Sequence, residues 1–167
     1  GADMEQCLHI ALAFHDANGT YARHAGVTLQ SLFSHTSARI CARILDDETL
    51  CESNRANFLS IGQRFDQQFL FHSVQLPKPA QEMAGNRLTK GTLYRLLLPS
   101  LMPATVDRML YLDCDMIVEL DVAVLWKIDL GGAPLAAVPD EGIAQWSAAE
   151  RLAVQRLGTV FSMPDCC

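Results

Sequence analysis

The 167-residue chain sets 13 Lys and Arg against 19 Asp and Glu, a net charge of -6 with no basic run, which excludes nucleic acid as the expected partner. With 50% hydrophobic and 19% charged residues it is expected to be one globular domain over 1–167, long enough to bury a real core, and not a disordered chain. No stretch approaches the roughly 20 apolar residues that a membrane span needs.

Residues 8–14 (LHIALAF) are continuously apolar and stop at the turn-forming segment 15–21, which predicts a buried strand followed by a loop. Ala22, Ala25, Leu29, Leu32 and Phe33 then recur at helical spacing, as a helix packed on a sheet requires. In such folds ligands sit at the carboxyl ends of strands, so His15, Asp16 and Asn18 are site candidates by position alone. Residues 38–45 read as a second strand. Asp46-Asp47-Glu48 is expected to open a helix, with acids suited to its N-terminal dipole and Leu50, Phe58, Ile61 and Phe65 on its buried side. A third strand over 69–76 closes at Pro77 and Pro79. The order β-α-β-α-β is that of a parallel sheet with right-handed crossovers.

Residues 81–87 have no clear period and are expected to be a loop. A helix over 89–98 follows, with Thr89 as N-cap and Leu93, Leu96 and Leu97 facing inward. The run 108–118 (RMLYLDCDMIV) reads as a strand delivering Asp113 and Asp115 at i and i+2, so that both carboxylates point the same way. An ionised carboxylate buried alone costs on the order of tens of kcal/mol, so a cation is expected beside them. A hard divalent ion suits two oxygen donors better than zinc, because no His or Cys pair stands at zinc-site spacing nearby. Beyond it, 122–128 reads as a short helix, Gly131-Gly132 as a turn, 135–138 as a strand, and Ser147 to Glu150 as a capping box that starts a helix carrying Leu152, Val154 and Leu157.

The six cysteines, Cys7, Cys41, Cys51, Cys114, Cys166 and Cys167, form no CxxC pattern and read as reduced thiols of a cytoplasmic protein, with peripheral attachment to the inner membrane face left open. Gly1-Ala2-Asp3 ahead of Met4 reads as a cloning remnant.

Taken together, Thr92-Leu93-Tyr94-Arg95-Leu96-Leu97-Leu98-Pro99, the Asp-Cys-Asp run from Arg108 to Val118, and Leu125-Trp126-Lys127-Ile128-Asp129-Leu130 resemble glycosyltransferase family 8. The opening Ala13-Phe14-His15-Asp16, through Gly19-Thr20-Tyr21 to Ala25-Gly26-Val27, is similar to that family's nucleotide-binding first loop. The resemblance implies an α/β GT-A fold, a UDP-sugar donor, a saccharide acceptor, manganese or magnesium, and retention of anomeric configuration. Position by position it implies that Asp115 binds the metal, that Asp113 contacts the ribose and reaches the metal, and that Arg95 approaches the donor phosphates and sugar. Ala13 with His15 or Asp16 would contact uracil and ribose, with Tyr21 and Cys114 counted in the same donor site, and Asp140 would line the acceptor site. Family members usually carry an acid where His15 falls. They also continue past this chain's end with acceptor-site residues and a late metal-binding histidine. The expectation is therefore an N-terminal donor-binding part, incomplete on its C-terminal side, for which a homo-oligomer remains open.

Two rival readings stand beside this one. A HAD-type phosphatase also has an apolar run into Asp-x-Asp, but on its first strand and with Thr or Val where this chain has Ile117. A non-catalytic nucleotide-sugar-binding piece is the second rival, and it rests on the absent half.

Overall fold

The computed structural model describes residues 7–84 and 89–138. Within them lie β1 (Leu8–Phe14), α1 (Ala22–His35), β2 (Ile40–Asp46), α2 (Glu52–Arg64), β3 (Gln68–Ser73), α3 (Lys78–Met83), α4 (Lys90–Tyr94), a 3-10 turn (Arg95–Leu97), α5 (Leu98–Leu101), β4 (Leu110–Tyr111) and α6 (Ala123–Trp126). The strands form one parallel sheet in the order β3-β2-β1-β4. The chain steps outward from β1 to β3 and then returns to the other side of β1, so the strand order reverses between β1 and β4.

Burial on both faces explains why β1 and β2 read as unbroken apolar runs. On one face Ile10, Leu12, Phe14, Ile40 and Ile44 meet Ala25, Leu29 and Leu32 of α1 and Phe58 of α2. On the other, Ala11, Ala13 and Leu45 meet Val74, Leu76, Ala80, Leu93, Tyr94 and Leu98. Small residues of β1 on this second face let α4 come close: a Cβ on Gly91 would lie 3.4 Å from the His15 nitrogen and the Phe14 Cα.

Several expected elements are changed by competing local chemistry. Asp46 to Glu48 do not open a helix. Asp46 ends β2, its Oδ1 accepts from the Thr49 and Leu50 nitrogens at 3.1 and 2.9 Å, and Glu48 takes a left-handed φ of 69°, so the helix starts only at Glu52. Residues 78–83 are helical, because Pro79 stands in the first turn and the Gln81 side chain donates to the Leu76 carbonyl at 2.6 Å. The helix expected over 89–98 keeps its Thr89 cap but tightens to a 3-10 turn at Arg95–Leu97. Pro99 has no N–H for the Arg95 carbonyl, and the Leu98 nitrogen takes that acceptor instead.

The acid-pair strand is the largest correction. Only Leu110–Tyr111 pairs with β1, and Cys114 and Asp115 form a turn. Side chains of α1 take over the backbone partners that a ladder would have used. Thr28 Oγ1 lies 2.8 Å from the carbonyls of both Cys114 and Met116 and accepts from the Met116 nitrogen at 3.1 Å, while Ser31 Oγ accepts from the Val118 nitrogen at 2.9 Å. Residues 135–138 are not a strand: they lie exposed, Val138 at 90%. The helix expected from Ser147 lies outside the described residues.

Candidate functional site

All four strands point their carboxyl ends the same way, so the loops after β1 and β4 meet where the strand order reverses. That reversal leaves a crevice at which open α/β sheets take ligands. The loop after β4 brings the acids. Asp113 is exposed, Cys114 buried and Asp115 exposed, so the turn still puts both carboxylates on the solvent side although the backbone is not extended. The Cys114 thiol packs inward at 3.4 Å from the Ala13 carbonyl, and burial first, then the Asp113 and Asp115 charges, push it up to about 12. It stays protonated, leaving only the Cys114 backbone to meet a ligand.

Arg95 reaches this turn from the other side of the crevice. Its Nη2 donates to Asp113 Oδ1 at 2.8 Å, its Nε to the Thr92 carbonyl at 3.0 Å, and its guanidinium lies 4.5 Å from the Tyr111 ring centroid. The 3-10 turn sets this direction, because it begins at Arg95. Tyr21 completes the group, 38% exposed and tilted against Phe14. Its phenol is raised by burial and then by the charges of Asp115, Cys114 and Asp113.

The loop after β1 is held from beneath. Asp16 is only 1% exposed: its carboxylate accepts from the Tyr21 nitrogen at 2.7 Å and from Asn54 Nδ2 at 3.3 Å, and its own nitrogen donates to Thr49 Oγ1 at 2.8 Å. Those bonds spend Asp16 on the shape of its loop. His15 is turned outward, with Nδ1 at 2.6 Å from Asp47 Oδ2. The same oxygen accepts from the Tyr94 hydroxyl at 2.6 Å, and Asp47 Oδ1 accepts from Thr49 at 2.7 Å. Burial alone would raise the Asp47 carboxyl, but the bonds from Tyr94, Thr49 and His15 outweigh it and hold it below its ordinary value. Burial and the bond to Asp47 raise the Tyr94 phenol.

A sequence model described as glycosyl transferase family 8 matches residues 9–160. The chain belongs to glycosyltransferase family 8. General stress protein A of Bacillus subtilis (strain 168) is 26% identical over 140 residues, which cover 83% of this chain and 48% of that protein. The crystal structure of the galactosyltransferase LgtC in complex with donor and acceptor sugar analogs is matched at a TM-score of 0.69 and 25% identity, over 86% of this chain and 51% of LgtC. Mouse xyloside xylosyltransferase 1 shares the fold, at a TM-score of 0.54 and 17% identity over 72% of this chain and 46% of that one. The chain thus spans about half the length of the relatives it matches, and its α/β architecture is the GT-A one expected from the sequence. The family assignment removes the phosphatase alternative.

The structure therefore brings together Arg95 and Asp113, with Asp115 in the same turn, and places His15 and Tyr21 on the loop after β1. Ala13 and Asp16 are buried behind that loop, and Asp140 lies outside the described residues. Asp47, Thr49, Thr28 and Asn54 escaped sequence reasoning. Asp47 stands at the carboxyl end of β2, and the positional rule that singled out His15 applies to it equally. Tyr94, part of the run that carries the resemblance, has a buried ring, and its hydroxyl also holds Asp47. Among the described residues no group of three or more His, Cys, Asp or Glu converges as a metal cage, and no helix is long and apolar enough to cross a membrane.

Proposed function

We propose that the chain is the donor-binding part of a retaining glycosyltransferase that moves glucose or galactose from a UDP-sugar to a saccharide acceptor, in lipopolysaccharide or other cell-surface glycan synthesis. The observation that carries this reading is the meeting of Arg95 with Asp113, beside Asp115, at the strand-order reversal. A cytoplasmic location, with peripheral attachment at the inner membrane face, would suit such a role.

Transfer breaks the bond between the anomeric carbon and the diphosphate while an acceptor hydroxyl bonds to that carbon and its proton passes to the departing diphosphate. Negative charge grows on the departing diphosphate. Arg95 is a permanently charged fork that can turn from Asp113 to phosphate oxygens as that charge develops. Tyr21 offers a ring face and a protonated phenol at the mouth of the crevice, and Asp140 is assigned to the acceptor side.

The residues at the turn also suit a divalent cation. Asp113 and Asp115 are hard oxygen donors, and the protonated, inward-facing Cys114 thiol adds no soft ligand. Two carboxylates leave most of the coordination shell open, as expected for an ion that shares its ligands with a diphosphate. Manganese or magnesium there would supply Lewis-acid stabilisation of the leaving group.

The direct test is calorimetric titration of UDP with and without manganese, on the natural sequence and on Asp115→Ala. Manganese-dependent binding that Asp115→Ala abolishes supports the donor site. Absence of binding under both conditions favours the second reading, a piece without a working site, which draws its support from the half-length coverage of the relatives.

A further inference from the structure

One carboxylate joins the two sides of the donor site. Asp47 Oδ2 meets His15 Nδ1 and the Tyr94 hydroxyl, both at 2.6 Å. Its Oδ1 accepts from Thr49, whose Oγ1 in turn accepts from the Asp16 nitrogen at 2.8 Å. Asp47 thereby grips the first loop twice, at His15 and at Asp16, and grips α4 once, at the residue next to Arg95. The side chains grade from inside to outside: Asp47 is 13% exposed and His15 38%. An acceptor fixed behind an imidazole decides which ring nitrogen carries the proton. With Nδ1–H committed to Asp47, a neutral His15 ring keeps its lone pair at Nε2, the nitrogen left free of Asp47.

We propose that Asp47 is a positioning residue of the donor site, holding His15 in the Nδ1–H form so that Nε2 accepts an N–H or O–H of the nucleoside, and holding Tyr94 so that Arg95 faces the diphosphate. The inference rests on the donor-site reading above. The carboxylate stays ionised for this task because its three hydrogen bonds keep it below its ordinary value. Tyr94 adds a second constraint: its ring is buried among Leu93, Leu98 and Ala13, so its hydroxyl fixes Asp47 to a rigid face and not to a mobile side chain.

The test compares Asp47→Asn, Tyr94→Phe, His15→Ala and the double variant Asp47→Asn/His15→Ala in the full 167-residue chain. Nitrogen-15 NMR reads the His15 tautomer, and calorimetry reads UDP affinity with manganese present. Asp47→Asn should move His15 from the Nδ1–H to the Nε2–H form and weaken UDP roughly tenfold, the worth of one charge-assisted hydrogen bond. In the His15→Ala background the same substitution should cost clearly less, because one of its two routes to the ligand is gone. Tyr94→Phe keeps the buried ring and should weaken UDP severalfold without changing the tautomer, so it carries the test if Asp47→Asn fails to fold. A natural chain that binds UDP, with Asp47→Asn and Tyr94→Phe binding it equally well, overturns the positioning role alone. A natural chain that shows the Nδ1–H tautomer but takes up no UDP overturns the donor-site reading, and this role falls with it.

Discussion

The turn that carries Asp113 and Asp115 is tied to α1 through the Thr28 hydroxyl, and removing that hydroxyl has a calculable consequence. Thr28 is fully buried; its Oγ1 donates toward the Cys114 and Met116 carbonyls and accepts from the Met116 nitrogen. Thr28→Val keeps the volume, opens no cavity and leaves those backbone groups without their partner. A buried polar group left unpaired costs about 1–3 kcal/mol. Cys114 is buried, whereas Met116 is 41% exposed and water can replace part of what it loses, so the net loss should be about 1–2 kcal/mol. With a urea m-value of about 2–3 kcal/mol/M, the unfolding midpoint should fall by roughly 0.3–1 M. Amide hydrogen exchange gives the sharper reading: the Met116 N–H should lose its protection in Thr28→Val and keep it in Thr28→Ser, which retains the hydroxyl. Manganese-dependent UDP binding should weaken in parallel with that loss. Unchanged Met116 exchange and an unchanged midpoint in Thr28→Val would show that the turn holds its shape without Thr28.

Other parts of the molecule give independent tests. A Cβ on Gly62 would lie 2.8 Å from Phe69 and 2.9 Å from the Gln67 carbonyl, so Gly62→Ala should destabilise by about 1–3 kcal/mol in urea unfolding, despite the better helix propensity of alanine. Among the described cysteines, Cys51 is exposed, and bonds from Ser53 and then from the Asn54 nitrogen lower its thiol, whereas Cys114 is buried and raised to about 12. Brief alkylation at neutral pH followed by peptide mass spectrometry should therefore label Cys51 and spare Cys114; equal labelling contradicts the site geometry. Asp121, just before α6, accepts from the Ala123 nitrogen at 2.9 Å and ties down Thr36 and Ser37; these bonds, the Ala123 one foremost, bring its carboxyl from 3.8 to about 2. Because the folded value lies below the unfolded one, its stabilisation is complete above 3.8 and disappears as the pH falls toward about 2. Carboxyl-carbon NMR should give an Asp121 midpoint well below that of an ordinary aspartate, and Asp121→Asn should flatten the acid limb of the stability profile in that window.

What could be read from the sequence follows the range of the forces involved. β1 is legible to the residue, since a strand buried on both faces must be apolar throughout, and the apolar stripe of α1 likewise gave its buried side. Arg95 and the acid pair were legible as types at a spacing. Their meeting at 2.8 Å was not, because it joins residues 18 apart and depends on a 3-10 turn shaped by Pro99 and on a turn held by Thr28 from 86 residues away. Asp47 was misread for a related reason. Acids after a strand suit a helix N-terminus equally well, and only the positions of His15 and Tyr94, 32 and 47 residues away, decide between the two roles.

The exposure of the Arg95–Asp113 pair bears on how the proposed site could work at all. Their side chains are 38% and 54% exposed, and an ion pair this open is worth only about 0–1 kcal/mol against water. Charge-assisted bonds from a guanidinium to a phosphate are worth about 1.5–3 kcal/mol. Arg95 can therefore leave Asp113 for a diphosphate at little cost, and Asp113 is released in the same step to face a cation. A buried pair in this place would resist that exchange, since separating it would strand an unpaired charge in the protein interior. On the donor-site reading, Asp113 keeps the arginine aimed while the crevice is empty, with the Tyr111 ring beneath the guanidinium to preserve that aim during the exchange. Tyr111→Leu should accordingly weaken UDP binding while leaving the fold intact. If Tyr111→Leu binds UDP with the affinity of the natural chain, the stacked ring contributes nothing to the aim of Arg95.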